Sequence, residues 1–181
     1  MTTVLHTCCG PCASACVPRL KAAGRDVVMF FSNSNIDTEE EFDRRKAAAE
    51  QLAEAEGVPI HFDGYDHESW LKEVATGFED EPEGGARCAR CFRYNLERAA
   101  KFADALGADS FTTSLTVSPH KRSGTVFEAG DGASASAKAE FLHEDFKKRD
   151  GFLESTRRAA ELGLYRQSYC GCEFSRRRSD P

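Results

Sequence analysis

Short apolar runs alternate with helix-like stretches along almost the whole chain, and few folds accommodate that order. Thr2–Leu5 reads as a strand entering the loop Thr7–Cys12, and a helix is expected from Pro11 to Ala23. Pro11 suits a first helical turn and Gly24 a helix end. The continuous apolar run Asp26–Phe31 (DVVMFF) predicts a buried strand. The turn-rich loop Ser32–Asp37 follows, then Thr38 as a cap, a helix Glu39–Glu56, and Gly57 as its stop. Pro59–Phe62 and Ser110–Thr113 read as further strands, and Phe141–His143 as a candidate fifth. Between them, Glu68–Thr76 and Arg87–Leu106 read as helices, the latter carrying Phe92, Leu96 and Phe102 on one side. A helix near Leu153–Leu162 leads into a cysteine-rich ending. Gly124–Ala135 shows no clear pattern, and the small-residue stretch Gly130–Ala139 reads as a linker or mobile loop. Strand–helix alternation predicts an α/β fold, a parallel sheet with helices on both faces. In such sheets, sites lie at the carboxyl ends of the strands, where Cys8, Cys9 and Cys12 follow the first strand.

The length, 181 residues, fits one domain better than two. No apolar run approaches the roughly 20 residues needed to span a bilayer. Met1–Leu5 lacks the basic and long apolar regions of a secretory signal, so a cytoplasmic protein without membrane contact is expected. A net charge of −6 argues against non-specific polyanion binding. Local basic groups stand in the second half, at Lys121-Arg122, Lys147-Lys148-Arg149, Arg157-Arg158 and Arg176-Arg177-Arg178. Taken singly, each reads as a solvated helix face or, at the end, a tail.

Eight cysteines in a chain of this kind point to metal binding or redox catalysis. Seven of them fall in three tight groups: Cys8-Cys9-Gly10-Pro11-Cys12, Cys88-Ala89-Arg90-Cys91 and Cys170-Gly171-Cys172. Cys16, one helical turn past Cys12, reads as a small buried hydrophobe. A Cys-x-x-Cys pair puts two thiols on one turn, and at a helix N-terminus the dipole favours thiolate. Four cysteines from distant groups form the usual donor set for zinc or a [4Fe–4S] cluster. A zinc ribbon would leave no surplus thiols, and the surplus here suggests redox work. A disulfide between residues i and i+2 would close a small, strained, easily reduced ring. Cys170 and Cys172 therefore suit a redox-active pair or two ligands to an extra metal.

In these groups and the segments around them, the sequence resembles the QueH family of epoxyqueuosine reductases over nearly its whole length, 1–175, with 176–181 a basic tail. The resemblance is carried by Leu5–Cys12 (LHTCCGPC), Gly84–Phe92 (GGARCARCF), Thr112–Lys121 (TTSLTVSPHK), Glu144–Lys148 (EDFKK) and Leu164–Ser175 (LYRQSYCGCEFS). Phe31–Ile36 (FSNSNI) departs from the Asn-Pro many relatives have there, without touching the cysteines. The resemblance implies a Rossmann-like fold related to the HUP nucleotide-hydrolase superfamily. It implies a cobalamin-independent enzyme that removes the epoxide oxygen of epoxyqueuosine at the tRNA wobble position, and a [4Fe–4S] cofactor.

Carried over residue by residue, the resemblance implies Cys8, Cys9, Cys88 and Cys91 as cluster ligands, with Cys12 able to replace one of the first pair. Cys170 and Cys172 are implied as the redox pair, or as holders of an additional mononuclear iron. The reaction needs two electrons, supplied by a donor of ferredoxin or flavodoxin type, and two protons. Asp145 and Tyr165 are candidate proton donors to the leaving oxygen. A helix cap for Asp145 and a half-buried core role for Tyr165 are the plainer alternatives. Lys121, Lys148 and Arg166 are candidate phosphate or ring contacts, and Tyr165 a candidate base-stacking residue. His6 reads as a structural hydrogen-bonding residue.

Three other functions compete. An ATP-using tRNA thiolase needs a Gly/Ser-rich phosphate loop where this chain has thiols. A non-catalytic zinc module predicts bound zinc and no activity. A plain thiol–disulfide oxidoreductase predicts that Cys88 and Cys91 are dispensable.

Overall fold

The computed structural model describes residues 1–176. Its centre is β1 (Thr2–His6), flanked by β2 (Asp26–Phe31) and β4 (Ser110–Thr113), with β3 (Ile60–Phe62) and β5 (Glu140–Phe141) at the edges. All pairings are parallel, in the order β3-β2-β1-β4-β5. Val4 lies opposite Val28 on one side and Phe111 on the other. Parallel strands need crossovers, and these are α1 (Gly10–Ala22), α2 (Glu39–Glu56), a short α3 (His67–Trp70), α4 (Ala86–Leu106) and α5 (Ser123–Ser134). Two more helices, α6 (Gly151–Glu161) and α7 (Glu173–Arg176), complete the described chain.

Successive strand residues point to opposite faces, and two cores follow. Leu5, Met29 and Phe31 pack with Val17 and Leu20 of α1, Leu52 of α2 and Ala159 of α6. Val4, Phe30, Phe111 and Phe141 pack with Leu96 and Ala99 of α4 and Val126 and Ala129 of α5. Phe30 also stacks on Phe102, ring centroids 4.2 Å apart. The expected helix faces are present: α2 begins at its Thr38 cap, whose hydroxyl accepts the Glu41 N–H at 3.3 Å.

Three expectations change. Gly124–Ala135 is not patternless: it is α5, and the expected linker Gly130–Ala139 is its last turns plus a turn tied down by Asp104, which accepts the Lys138 and Ala139 N–H groups. Low-propensity glycines hid the helix, but Gly130 is where α5 crosses β5, since a Cβ there would lie 2.2 Å from the Phe141 ring. The helix expected over Glu68–Thr76 is α3 followed by a π-helical turn, Leu71–Ala75. Arg176 ends α7 and pairs with Asp37, Nε to Oδ2 2.8 Å. The rest of the expected basic tail lies outside the described residues.

Candidate functional site

The strand order reverses between β1 and β4, so the chain leaves these two carboxyl ends in opposite directions and opens a crevice there. A cavity of about 580 Å³ occupies it, walled by segments that follow β1, β2 and β4 and by the C-terminal stretch.

After β1 the chain turns at Cys8 and enters α1 with Cys9 as N-cap. The Sγ atoms of Cys8, Cys9 and Cys12 all lie within 4.8 Å of one another. Cys9, 1% exposed, gathers the most donors of the three. It accepts the Cys12 backbone N–H at 3.4 Å, the Gln167 Nε2–H at 3.0 Å and the Cys8 thiol at 3.9 Å. Hydrogen bonds from the Cys12 and Cys8 thiols lower the Cys9 pKa far below its ordinary value, overcoming burial. Its neighbours move the other way. A hydrogen bond with Cys12 favours Cys8 thiolate, yet the Cys9 bond and burial push Cys8 up to about 11. Cys12 is pushed up by Cys8, Cys9 and burial. Of the three sulfurs, Cys9 is the one whose surroundings most favour the thiolate. Ser114 braces Cys8, accepting its N–H at 3.0 Å and donating to its Sγ at 3.3 Å.

Lys121 stands on the same wall, in the loop after β4. Burial disfavours its charge, but Cys170, Cys8, Cys12 and Cys9 together raise its pKa strongly, so its ammonium is a fixed counter-charge to the thiols. His6 lies beneath and is wholly buried. Its Nε2–H donates to the Ser32 carbonyl at 3.0 Å, which leaves Nδ1 of the neutral ring to accept from Thr113 Oγ1 at 2.9 Å. Burial lowers its pKa, and the neutral ring ties β1 to β2 and β4. The structural reading of His6 holds, as does that of Cys16, 0% exposed within the core.

The second thiol pair opens α4. Cys88 accepts the Gly84 N–H at 3.2 Å, and Cys91 lies one turn on, with the Asn95 Nδ2–H 3.7 Å from its sulfur. Burial raises both pKa values, more strongly for Cys91, whose thiol faces the cavity. The third pair is divided: Cys170 lines the cavity, whereas Cys172, 8% exposed, packs with Trp70, Val74 and Cys91 in a small separate cluster. All eight cysteines are free thiols.

A clamp that sequence reasoning missed holds the Cys170 segment. Arg45 of α2 donates to Cys170 O at 2.8 Å and Tyr169 O at 3.3 Å, and its guanidinium lies 5.0 Å from the Tyr169 ring centroid. Its Nε pairs with Glu41 Oε1 at 2.7 Å, both side chains being nearly inaccessible (2% and 6%). From the other side, Gly171 O accepts the Asp37 N–H at 2.9 Å. The signal was legible: Glu41 and Arg45 sit on the stripe otherwise filled by Phe42, Ala49 and Leu52, an opposite-charge pair on a buried face. Gln167 and Asn95 were missed too. Each carries a buried amide oxygen, Oε1 and Oδ1, with no hydrogen-bond partner, and both residues line the cavity.

Of the other predicted residues, Lys121 and Arg166 line the cavity, while Asp145, Tyr165 and Lys148 do not. Asp145 caps no helix: its Oδ1 accepts from Ser123 Oγ at 2.9 Å, at the first residue of α5. The Tyr165 hydroxyl donates to Glu41 Oε2 at 2.7 Å.

A parallel α/β sheet whose carboxyl edge gathers thiols from three separate segments defines a cysteine-rich α/β protein with a soft-metal donor set. The comparisons narrow this class. A family model described as "Epoxyqueuosine reductase QueH" matches residues 3–178. The epoxyqueuosine reductase QueH of Streptococcus pyogenes is 35% identical over 95% of this chain and 69% of its own length. That of Thermotoga maritima is 33% identical over 96% of this chain and 90% of its own. That of Helicobacter pylori is 32% identical over 95% of this chain and 48% of its own. The chain belongs to the QueH family.

Proposed function

We propose that the protein is an epoxyqueuosine reductase. It removes the epoxide oxygen of epoxyqueuosine in tRNA with two electrons and two protons, leaving an alkene and water. The observation that carries this is the convergence of Cys8, Cys12, Cys91 and Cys170 on one cavity in a chain that belongs to the family over nearly its whole length.

The residues fit the implied cofactor. Soft thiols are the donors an iron–sulfur cluster takes, three sulfurs already lie within 4.8 Å of one another, and Lys121 offsets their charge. We assign the cluster to Cys8, Cys9, Cys88 and Cys91, with Cys12 as the alternative to one of the first pair. Cys170 and Cys172 are the redox pair or the holders of a further iron. A [4Fe–4S] cluster bound there would pass electrons singly, from a donor of ferredoxin or flavodoxin type, and an iron with an open position would polarise the epoxide oxygen.

The chain's own contribution is positioning. Gln167 and the Cys12 N–H hold Cys9, and Arg45 holds the Cys170 segment. We place the proton donor on the cavity wall, at His120, rather than at Asp145 or Tyr165, whose polar groups are bonded to Ser123 and Glu41. The strand order supports a Rossmann-like relationship, matching the first five strands of the doubly wound pattern. Among the described residues no helix is long and apolar enough to cross a membrane. We assign the enzyme to the cytoplasm, where a tRNA substrate resides and thiols stay reduced.

The test is anaerobic purification with iron and sulfide analysis, then an assay on epoxyqueuosine-containing tRNA with Cys88→Ala and Cys172→Ala. About four irons and four sulfides, with activity lost in both variants, is the expected result. A colourless zinc protein, inactive after iron–sulfur reconstitution, would overturn the proposal. Full activity in Cys88→Ala would favour the plain thiol–disulfide oxidoreductase.

A further inference from the structure

Among the described residues the large exposed hydrophobic side chains are Met1, Leu106, Phe152, Leu153 and Tyr165. Only Phe152 also lines the cavity that holds the thiols. Its ring is 40% exposed at the start of α6, and the Arg166 guanidinium sits over it, 5.5 Å from the centroid. A partly exposed aromatic ring backed by a cation stands here at the mouth of the site. It is the arrangement that stacks a planar nucleobase, with the cation polarising the ring.

The surroundings carry the matching charge. The segment before α6 contains Lys147, Lys148 and Arg149, and the Lys147 Nζ donates to Lys121 O, joining that segment to the cavity wall. The segment is also rigid. Arg19 of α1 donates to Phe146 O at 3.1 Å, Lys148 O at 2.9 Å and Arg149 O at 2.8 Å, and pairs with Glu154 at 2.6 Å. This fixes the turn in which Arg149 and Asp150 take positive φ, at 52° and 58°, just before α6 and Phe152 in its first turn. Lys148 and Arg149 are exposed, and among the described residues neither side chain makes an ion pair.

We propose that Phe152, backed by Arg166, is a stacking shelf for an unpaired nucleobase flanking the base that enters the cavity, and that Lys148 and Arg149 take the phosphates of that strand. The inference rests on the reductase reading, which requires RNA with one base drawn out of its stack. It adds the surface that receives the neighbouring nucleotide. Leu153, 67% exposed but away from the cavity, has no part in it.

The test measures binding of an anticodon stem-loop to the iron-loaded protein at several salt concentrations. Phe152→Ala should weaken binding about tenfold, ~1.4 kcal/mol, with Phe152→Trp restoring it and Leu153→Ala changing it less than about twofold. The slope of log affinity against log salt should stay unchanged in Phe152→Ala. In Lys148→Ala/Arg149→Ala it should become shallower by about one for each phosphate no longer neutralised. Two further stem-loops, abasic on the 5′ or the 3′ side of the modified base, locate the stacked nucleotide. One of them should bind wild type as weakly as intact RNA binds Phe152→Ala, and lose nothing more on that variant. If Phe152→Ala binds like wild type, or both abasic RNAs bind like the intact one, the shelf is wrong while the reductase stands. If wild type ignores the RNA altogether, both fall.

Discussion

Removing the Glu41 carboxylate, as in Glu41→Leu, should unfold the protein at a markedly lower temperature, because it strands a charge. Arg45 is 2% exposed, and without Glu41 its guanidinium keeps only the carbonyls of Tyr169 and Cys170 and the Tyr169 ring. Stranding one partner of a buried ion pair costs about 3–5 kcal/mol. In a domain of this size, 1 kcal/mol moves the midpoint by about 2–4 °C, which gives a fall of roughly 6–20 °C. The double variant Glu41→Leu/Arg45→Leu leaves no buried charge. It should recover most of that loss, keeping a deficit of about 1–3 kcal/mol for the carbonyls that lose their donor. Stability and positioning then separate. In the double variant the backbone around Cys170 should exchange its amide hydrogens faster and Cys172 should alkylate faster, although the fold is intact. Thermal unfolding of the metal-free protein, hydrogen exchange and thiol alkylation read all three. A Glu41→Leu midpoint within about 2 °C of wild type would refute the argument, as would a double variant less stable than Glu41→Leu alone.

Two further outcomes follow from packing and titration. The metal-free protein should lose stability between about pH 9 and 11, because Cys16 is pushed well above its ordinary value by burial and Cys8 up to about 11. Thiols with raised folded-state pKa keep protons the unfolded chain has released, so their contribution is complete below pH 9.0 and lost as pH rises. Cys9 works in the opposite sense, and Cys16→Ala should flatten the decline; identical slopes in denaturant titrations of the two proteins would contradict this. Gly10→Ala places a Cβ 2.5 Å from Ala48 O, backbone of the packed helix α2. It should cost about 1–3 kcal/mol of stability, and a substitution that leaves the midpoint unchanged would show that α1 and α2 can separate there.

The cysteine spacing and the strand–helix alternation were decided by the chain alone. An apolar run such as DVVMFF has one economical use in a sheet covered on both faces, and Thr38 and Gly57 bracket α2 by local hydrogen bonding and backbone preference, without tertiary help. That thiols at 8–12, 88–91 and 170–172 point to metal or redox chemistry was legible because no bland explanation accounts for so many in such tight groups, and Cys8, Cys12, Cys91 and Cys170 do line one cavity. Tertiary structure decided what local preference opposed or could not address. α5 exists despite its glycines because Gly130 admits the Phe141 ring. Asp145 and Tyr165 lie off the cavity wall, their polar groups bonded to Ser123 and Glu41, which are distant in sequence. Cys170 lines the cavity while Cys172 packs apart from it, and Arg45, more than 120 residues away in the chain, grips the Cys170 carbonyl. Spacing along a chain tells which groups are available, whereas burial and partner choice, which only the packed sheet supplies, settle which of them face one another.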